Sequence, residues 1–403
     1  MVKVAILGIG TVGGGTAEVL TKNRELIARR AGQEIELKYI LCRRARPDHP
    51  FAHLIVHDID TIVNDPEIGV VAECIGGATL AYEYVKRCLS AGKSVVTSNK
   101  ELVAEKGLEL TALARKMGVN FMFEASVGGG IPILRPLNQC LAANEIEEIT
   151  GILNGTTNYI LTRMIRGGLS FDAALKEAQA NGYAEQDPTA DIEGHDACRK
   201  ICILASLAFG RHIYPRQVPA EGITGVTLSD VAWAEACGKK LKLLGRAIRQ
   251  ADGRVCAYVS PHLVDVENPL AGVEDVFNAI AVKGNAIGDV MFYGRGAGKL
   301  PTASAVVADV IDAAKHRDEK KRVFWAEGGE DTTVSPDGLA SAWYVRGSGD
   351  AGAVQAALPG ARLLERADAP AGEFALLTGP MTRPELDGKL ACVKPLSVFR
   401  VLD

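Results

Sequence analysis

The chain has 403 residues, of which 47% are hydrophobic and 23% charged, with a formal net charge of −4 at pH 7. That length exceeds one small core and allows two or three domains. The slightly acidic balance argues against a dedicated nucleic-acid binder, which needs a net basic surface to neutralise phosphates. No apolar run approaches the roughly 20 residues that span a bilayer, and the N-terminal stretch VAILGIG is too short for a signal peptide. Neither a membrane nor a nucleic-acid partner is expected.

Nine cysteines, an odd number, are scattered along the chain, several in apolar runs such as Cys74 in VVAECIGG. They read as reduced thiols in a cytoplasmic protein rather than as a disulfide framework. No C-x-x-C pair occurs, so a structural zinc site is not expected. His49, His53 and His57 recur every fourth residue, but Pro50 interrupts them and no second ligand cluster follows. They read as loop and strand-edge residues.

In chain order, Val2–Leu7 reads as a strand, Thr11 to Arg30 as helical and Ile35–Cys42 as a second strand. GVVAECIG (69–76) and KSVVTSNK (93–100) are short apolar runs ended by polar residues, with a helical stretch between them, and VNFMFEASV (119–127) follows another. Strands alternating with helices of this length predict right-handed βαβ crossovers and a parallel sheet. From about Gly129 the loops become densely polar, which predicts a separate α+β domain. Residues 318–340 carry charges, glycines and a proline, the composition of a linker. The last sixty residues or so read as strand, helix, strand, strand, helix, strand.

Gly8, Gly10 and Gly13 form G-x-G-x-x-G, with Thr11 and Val12 between the last two, directly after the first strand and at the opening of a helix. The first glycine permits a tight turn, the second a close approach of pyrophosphate, and the third close helix–strand packing. The helix N-terminus then offers free N–H groups and a positive dipole end to the phosphates. Where an acidic residue would hold a ribose 2′-hydroxyl, the second strand ends in Arg43 and Arg44. Two guanidinium groups suit a 2′-phosphate, so NADP is preferred and NAD left open.

The densest polar segment is NGYAEQDPTADIEGHDACRK, which runs into an apolar helix. Asp196 and Lys200 are i and i+4 and therefore share a helix face, with Glu185 and Asp191 on the entering loop. Three carboxylates near one lysine could bind an ammonium-bearing substrate while the lysine shuttles a proton. The competing reading is a surface ion pair at Asp196–Lys200 and a helix cap at Asp191.

GIGTVGGG, TSNKE, FEASVGGGIPI, GILNGTTNYIL, GYAEQDPTADIEGHDACRK and YGRGAGKLPTASAVVADV, in this order over residues 1 to about 315, together resemble the homoserine dehydrogenase family. The resemblance implies an α/β fold. A Rossmann-type domain over 1–128, completed by about 295–317, would be followed by an α+β catalytic and oligomerisation domain over 129–294. Beyond the linker, 341–403 would be a short ACT-like α+β domain. GSGDAG stands there in place of a ligand loop, so threonine control is not expected and a supporting role in assembly is. With no kinase segment ahead of residue 1, a bifunctional fusion is not expected.

The resemblance further implies interconversion of L-aspartate 4-semialdehyde and L-homoserine by hydride transfer, in threonine and methionine biosynthesis. Lys200 would carry the proton with Asp196 beside it, Glu185 and Asp191 would bind substrate, and Lys100 would reach both substrate and cofactor. Ser98, Arg43, the glycine turn and a late glycine, Gly296 or Gly298, would complete the cofactor site. A monovalent cation, typically sodium, would lie at Glu124, Val127, Gly129 and Ile131, mostly on backbone carbonyls. A cytoplasmic homodimer or homotetramer is expected. The alternatives are another NADP-dependent amino- or hydroxy-acid oxidoreductase and a non-catalytic nucleotide sensor, which would have no chemical reason to keep Lys100, Glu185, Asp196 and Lys200 together.

Overall fold

The computed structural model describes residues 1–317, 325–391 and 394–402. The strands are β1 (Val2–Leu7), β2 (Ile35–Leu41), β3 (Ile55–Val56), β4 (Ile68–Glu73), β5 (Ser94–Thr97), β6 (Phe121–Met122), β7 (Ile146–Ile152), β8 (Lys239–Arg249), β9 (Val255–Asp265), β10 (Phe277–Gly284), β11 (Gly288–Arg295), β12 (Thr333–Val334), β13 (Trp343–Ser348), β14 (Arg362–Leu363), β15 (Glu373–Leu377) and β16 (Ser397–Leu402). The helices are α1 (Thr11–Lys22), α2 (Arg24–Ala31), α3 (Ile59–Val63), α4 (Thr79–Ser90), α5 (Lys100–Met117), α6 (Gly155–Gly167), α7 (Phe171–Ala180), α8 (Thr189–Ile192), α9 (His195–Phe209), α10 (Leu228–Ala236), α11 (Lys299–Lys315), α12 (Ala351–Ala357) and α13 (Arg383–Lys389).

The chain divides into two units. The first comprises Met1–Glu145, Cys202–Pro215 and Gly294–Gly328. Its parallel sheet has the order β3-β2-β1-β4-β5-β6, the doubly wound arrangement of dinucleotide-binding folds. The central strands β1 and β4 are almost wholly buried because helices cover both faces, which explains their continuous apolar runs. Val4, Ile6, Val70, Ala72 and Val96 share one core with Val306, Val307 and Val310 of α11. A Cβ at Gly15 of α1 would lie 2.7 Å from the Lys299 carbonyl, so the absence of a side chain there lets α1 and α11 touch. The helical stretch predicted over 11–30 is two helices, broken at Asn23, whose N–H bonds the Val19 carbonyl and ends α1.

The second unit comprises Ile146–Ile201, Arg216–Tyr293 and Gly329–Asp403, and carries a ten-stranded mixed sheet. Its path is β11-β10-β7-β8-β9-β16-β13-β15-β14, with β12 added to β9. β8 and β9, eleven residues each, pair antiparallel along their whole length. The last four strands form a β-α-β-β-α-β layer with strand order 4-1-3-2. It is not a freestanding module, because β16 pairs parallel with β9 (Arg400 opposite His262). Buried Arg346 on β13 also reaches both carboxylate oxygens of Asp230 on α10 (2.7 and 3.2 Å), Glu373 (3.1 Å) and Ser397 (3.0 Å).

The linker expected over 318–340 is not what 325–340 forms, and 318–324 lie outside the described residues. In the first unit, Trp325 is buried against Phe123 and His212, with ring centroids 5.6 and 5.2 Å apart. In the second, β12 joins the sheet and the Pro336 carbonyl accepts from Arg400 at 2.7 Å. Tertiary pairing overrides a composition that by itself favours loop. The first unit also runs on to Glu145, past the boundary expected near 128.

Candidate functional site

In the first unit, β1 ends at Leu7 and the chain turns through Gly8, at φ +96°, into α1, whose cap is Gly10. A Cβ at Gly13 would fall 2.0 Å from the Gly8 carbonyl oxygen, and one at Gly8 would meet the Cys74 carbonyl at 3.0 Å. A Cβ at Gly10 would meet nothing within 4 Å. Two of the three glycines are thus demanded by the turn itself, whereas Gly10 faces open space, where a phosphate could approach the N–H groups opening α1 at Thr11 and Val12. The turn fits a dinucleotide. Arg43 and Arg44 follow β2 and are both exposed.

The end of β4 adds a group that pattern reading missed. Glu73 is fully buried; its carboxylate accepts the Thr97 hydroxyl at 2.5 Å and the Ile75 N–H at 2.6 Å. Burial raises its pKa, and these donors oppose the rise. Asn99 then donates to the Gly77 carbonyl at 2.7 Å and caps α5 by accepting from Leu102 N–H at 3.0 Å. Through these bonds the loops after β4 and β5, the latter carrying Ser98 and leading into Lys100 at the start of α5, are held in one arrangement. The one local signal that could have pointed here is an asparagine just ahead of a helical stretch, a residue type that suits an N-cap.

Glu124, Val127, Gly129 and Ile131 lie together on the turn that leaves β6. The Glu124 carboxylate accepts the backbone N–H groups of Ile133 (2.7 Å), Leu134 (3.0 Å) and Arg135 (2.7 Å), so its side chain organises the turn and its backbone carbonyl is what could face an ion. Gly128 and Gly129 both have positive φ, and a Cβ at Gly129 would lie 2.4 Å from the Gly296 carbonyl oxygen. Among the described residues no cluster of His, Cys, Asp and Glu could hold a metal ion. Gly298, at φ +128°, caps α11.

The second unit assembles the polar segment. β7 runs into Leu153 and Asn154, and the Asn154 side-chain oxygen caps α6 through Thr157 N–H at 2.8 Å. The Asn154 amide donates to Asp191 at 2.7 Å and Asp196 at 2.8 Å, bridging two carboxylates. Lys200 Nζ donates to Asp196 Oδ2 at 2.6 Å and to the Leu153 carbonyl at 2.7 Å. The pair is buried, with side-chain exposures of 8% and 5%, which overturns the surface ion-pair reading. Asp191 does not cap α9. Burial, and then the Asp196 charge, raise its pKa. An ammonium has three donors, and two are committed here, leaving one for a ligand atom.

Glu185 does not join this network; it is exposed, and its carbonyl accepts from Gln179 at 3.1 Å. Asn154 was missed as a bridge. Its place before Gly-Thr-Thr signals a helix cap, but nothing local signals that its amide meets residues 37 and 42 positions away.

Two family models match the chain: "Homoserine dehydrogenase, NAD binding domain" over residues 8–124 and "Homoserine dehydrogenase" over 132–311. A homoserine dehydrogenase of Pseudomonas aeruginosa is 46% identical over 353 residues, covering 86% of this chain and 81% of that protein. The chain belongs to the homoserine dehydrogenase family. Among solved structures, a homoserine dehydrogenase from Thiobacillus denitrificans superposes with a TM-score of 0.90 at 37% identity, covering 100% of this chain and 98% of its own. A hyperthermophilic archaeal homoserine dehydrogenase in complex with NADPH gives a TM-score of 0.66 at 28% identity, covering 77% of this chain and 97% of its own.

Membership in the homoserine dehydrogenase family makes the protein an NAD(P)-dependent oxidoreductase that acts on a CH–OH group of a small molecule. The eight cysteines among the described residues are all free thiols. No helix there is long and apolar enough to cross a membrane.

Proposed function

We propose that the protein reduces L-aspartate 4-semialdehyde to L-homoserine, and the reverse, with NADP(H) preferred over NAD(H), and with Lys200 as the proton carrier. The observation that carries this reading is the buried Lys200 ammonium, oriented by Asp196 and the Leu153 carbonyl with one donor left over. The Gly8–Gly13 turn would hold the pyrophosphate of the dinucleotide, whose nicotinamide would supply or take up the hydride. Lys200 donates its remaining proton to the substrate oxygen as negative charge develops there, and takes it back in the oxidative direction.

Asp196 holds the lysine in place, and Asn154 bridges Asp196 and Asp191 through its amide. Glu185 and Asp191 bind the substrate ammonium, Lys100 stabilises the developing oxyanion electrostatically, and Arg43 meets the 2′-phosphate. Ser98, Gly296 and Gly298 complete the cofactor contacts. Glu124, Val127, Gly129 and Ile131, mostly through backbone carbonyls, would hold a monovalent cation such as sodium. In this reading the enzyme works in the cytoplasm as a homodimer or homotetramer, joined through the region after residue 128, and the C-terminal 341–403 layer, ACT-like in its strand order, supports that assembly.

The test is reduced-nicotinamide absorbance with L-homoserine and NADP+ or NAD+ in parallel. Turnover with NADP+ favoured is expected. Tight nucleotide binding without turnover on L-homoserine would overturn the substrate assignment.

A further inference from the structure

The strand order β3-β2-β1-β4-β5-β6 reverses its direction of travel between β1 and β4, and open sheets of this kind take ligands outside the carboxyl ends of the strands at that point. The Gly8–Gly13 turn follows β1 there, and Arg43 follows β2 on one side of it. A dinucleotide whose adenosine half lies over β2 must extend its nicotinamide half the other way, over the ends of β4 and β5.

The loop leaving β4 touches the glycine turn, because a Cβ at Gly8 would lie 3.0 Å from the Cys74 carbonyl oxygen and 3.3 Å from Ile75 Cα. It then runs through Gly76 and Gly77, at φ +84° and +72°, and a Cβ on either would meet nothing within 4 Å. Two consecutive residues thus turn bare backbone towards open space, as a closely approaching ligand requires. Beneath this loop lies Glu73, wholly buried and with no ion pair among the described residues. A buried carboxylate is costly unless its oxygens are hydrogen-bonded. The β4 loop supplies the N–H groups of Ile75 (2.6 Å) and Gly76, and the β5 loop supplies the Thr97 hydroxyl (2.5 Å) and the Asn99 amide. All are donors, which suits an acceptor-only carboxylate. The Thr97 oxygen itself accepts Asn99 N–H at 2.9 Å, so its single hydrogen is committed to Glu73. Asn99 then closes the ring on the Gly77 carbonyl at 2.7 Å.

We propose that Glu73, Thr97 and Asn99 form a clasp between the β4 and β5 loops that positions the nicotinamide half of the cofactor and leaves the adenosine half untouched. The inference rests on the dinucleotide reading of the glycine turn. The three side chains are 0%, 1% and 7% exposed and have no surface to offer a ligand. They are positioning residues, acting through the backbone from Ile75 to Gly77 and through the segment that carries Ser98 and Lys100.

The test is calorimetric titration of the full chain with two ligands: NADPH, which has both halves, and adenosine 2′,5′-bisphosphate, which has only the adenosine half. Glu73→Gln and Thr97→Val keep the side-chain shape and remove the charge and the hydroxyl in turn. Each is expected to weaken NADPH binding at least about tenfold and to leave the bisphosphate within about twofold of the parent. Thr97→Ser, which returns the hydroxyl, is expected to bind NADPH within about twofold of the parent. Circular dichroism and thermal unfolding establish that each variant is folded, and should Glu73→Gln not fold, the two Thr97 variants carry the test. Equal weakening of both ligands overturns the proposal, because it marks a general loosening of the first unit. So does undiminished NADPH binding, and so does a Thr97→Ser protein as weak as Thr97→Val. A parent that binds neither ligand removes the dinucleotide reading itself, and this inference with it.

Discussion

Lys200 Nζ lies 2.6 Å from Asp196 Oδ2, one helical turn away on α9, and both side chains are buried. At the surface such an i,i+4 pair contributes a few tenths of a kcal/mol. Buried, it is a different object, because removing either partner leaves a charge in a low-dielectric site, at about 3–5 kcal/mol. The fold tolerates that hazard at the end of β7, where Leu153 accepts from Lys200 and Asn154 donates to Asp196.

Lys200→Ala is expected to lower kcat by about 10²–10⁴-fold, the range for loss of a positioned acid–base group. It should also lower thermal stability, because Asp196 loses its partner. Adding Asp196→Ala should recover part of the stability and none of the activity. Steady-state kinetics and thermal unfolding of the three variants check this, and an active, folded Lys200→Ala protein would sink the assignment.

The glycine turn predicts two opposite failures. Gly13→Ala forces a Cβ to within 2.0 Å of the Gly8 carbonyl oxygen, so the first unit should lose stability. Gly10→Ala meets nothing in the protein and should fold like the parent, yet bind NADPH at least about tenfold more weakly if the pyrophosphate lies over that position. Unfolding temperature and fluorescence titration separate the two, and undiminished binding by Gly10→Ala would argue against the cofactor pose.

Arg43→Ala concerns an exposed side chain just beyond β2 and should leave stability within about 0.5 kcal/mol. KM for NADP+ should rise several-fold with KM for NAD+ unchanged, since only NADP+ has a 2′-phosphate to lose. Parallel KM measurements decide it, and equal effects on both cofactors would remove Arg43 from 2′-phosphate recognition.

His262 sets an acid limit. It is fully buried on β9, with Nδ1 2.9 Å from the Ser260 carbonyl; burial, and then the Arg246 charge, drive its pKa from an ordinary 6.5 down to about 3. Between those values the unfolded chain holds more protons than the folded one. Stability therefore rises with pH through this window, and this contribution is lost as pH falls from about 6.5 towards 3. At about pH 4.5 the loss should be on the order of 2 kcal/mol relative to pH 7. Urea midpoints at the two pH values should lie closer together in His262→Gln than in the parent; an unchanged difference would show that other groups set the acid limit.

The cofactor turn was legible in the sequence because every part of it is local. Gly8, Gly10 and Gly13 lie within six residues, Gly13 packs on the Gly8 carbonyl, and a strand and a helix bracket them. The doubly wound sheet was legible for a similar reason, since strands buried on both faces carry continuous apolar runs. The i,i+4 geometry of Asp196 and Lys200 followed from helix pitch alone.

What the tertiary structure decided is whether that pair is buried, and with whom. Asn154 comes from a strand end 42 residues earlier and Leu153 from beside it, and no local pattern specifies which carbonyl an ammonium will meet. Glu73 reads as an ordinary strand residue until β5 places Thr97 beside it. The C-terminal strands were visible as strands, but their joining to β9 through β16 was not, because pairing between strands distant in sequence depends on which edges the fold leaves open. Residues 325–340 carry a loop composition, yet Trp325 is buried and β12 pairs with β9, since burial of an indole and backbone pairing outweigh local propensity.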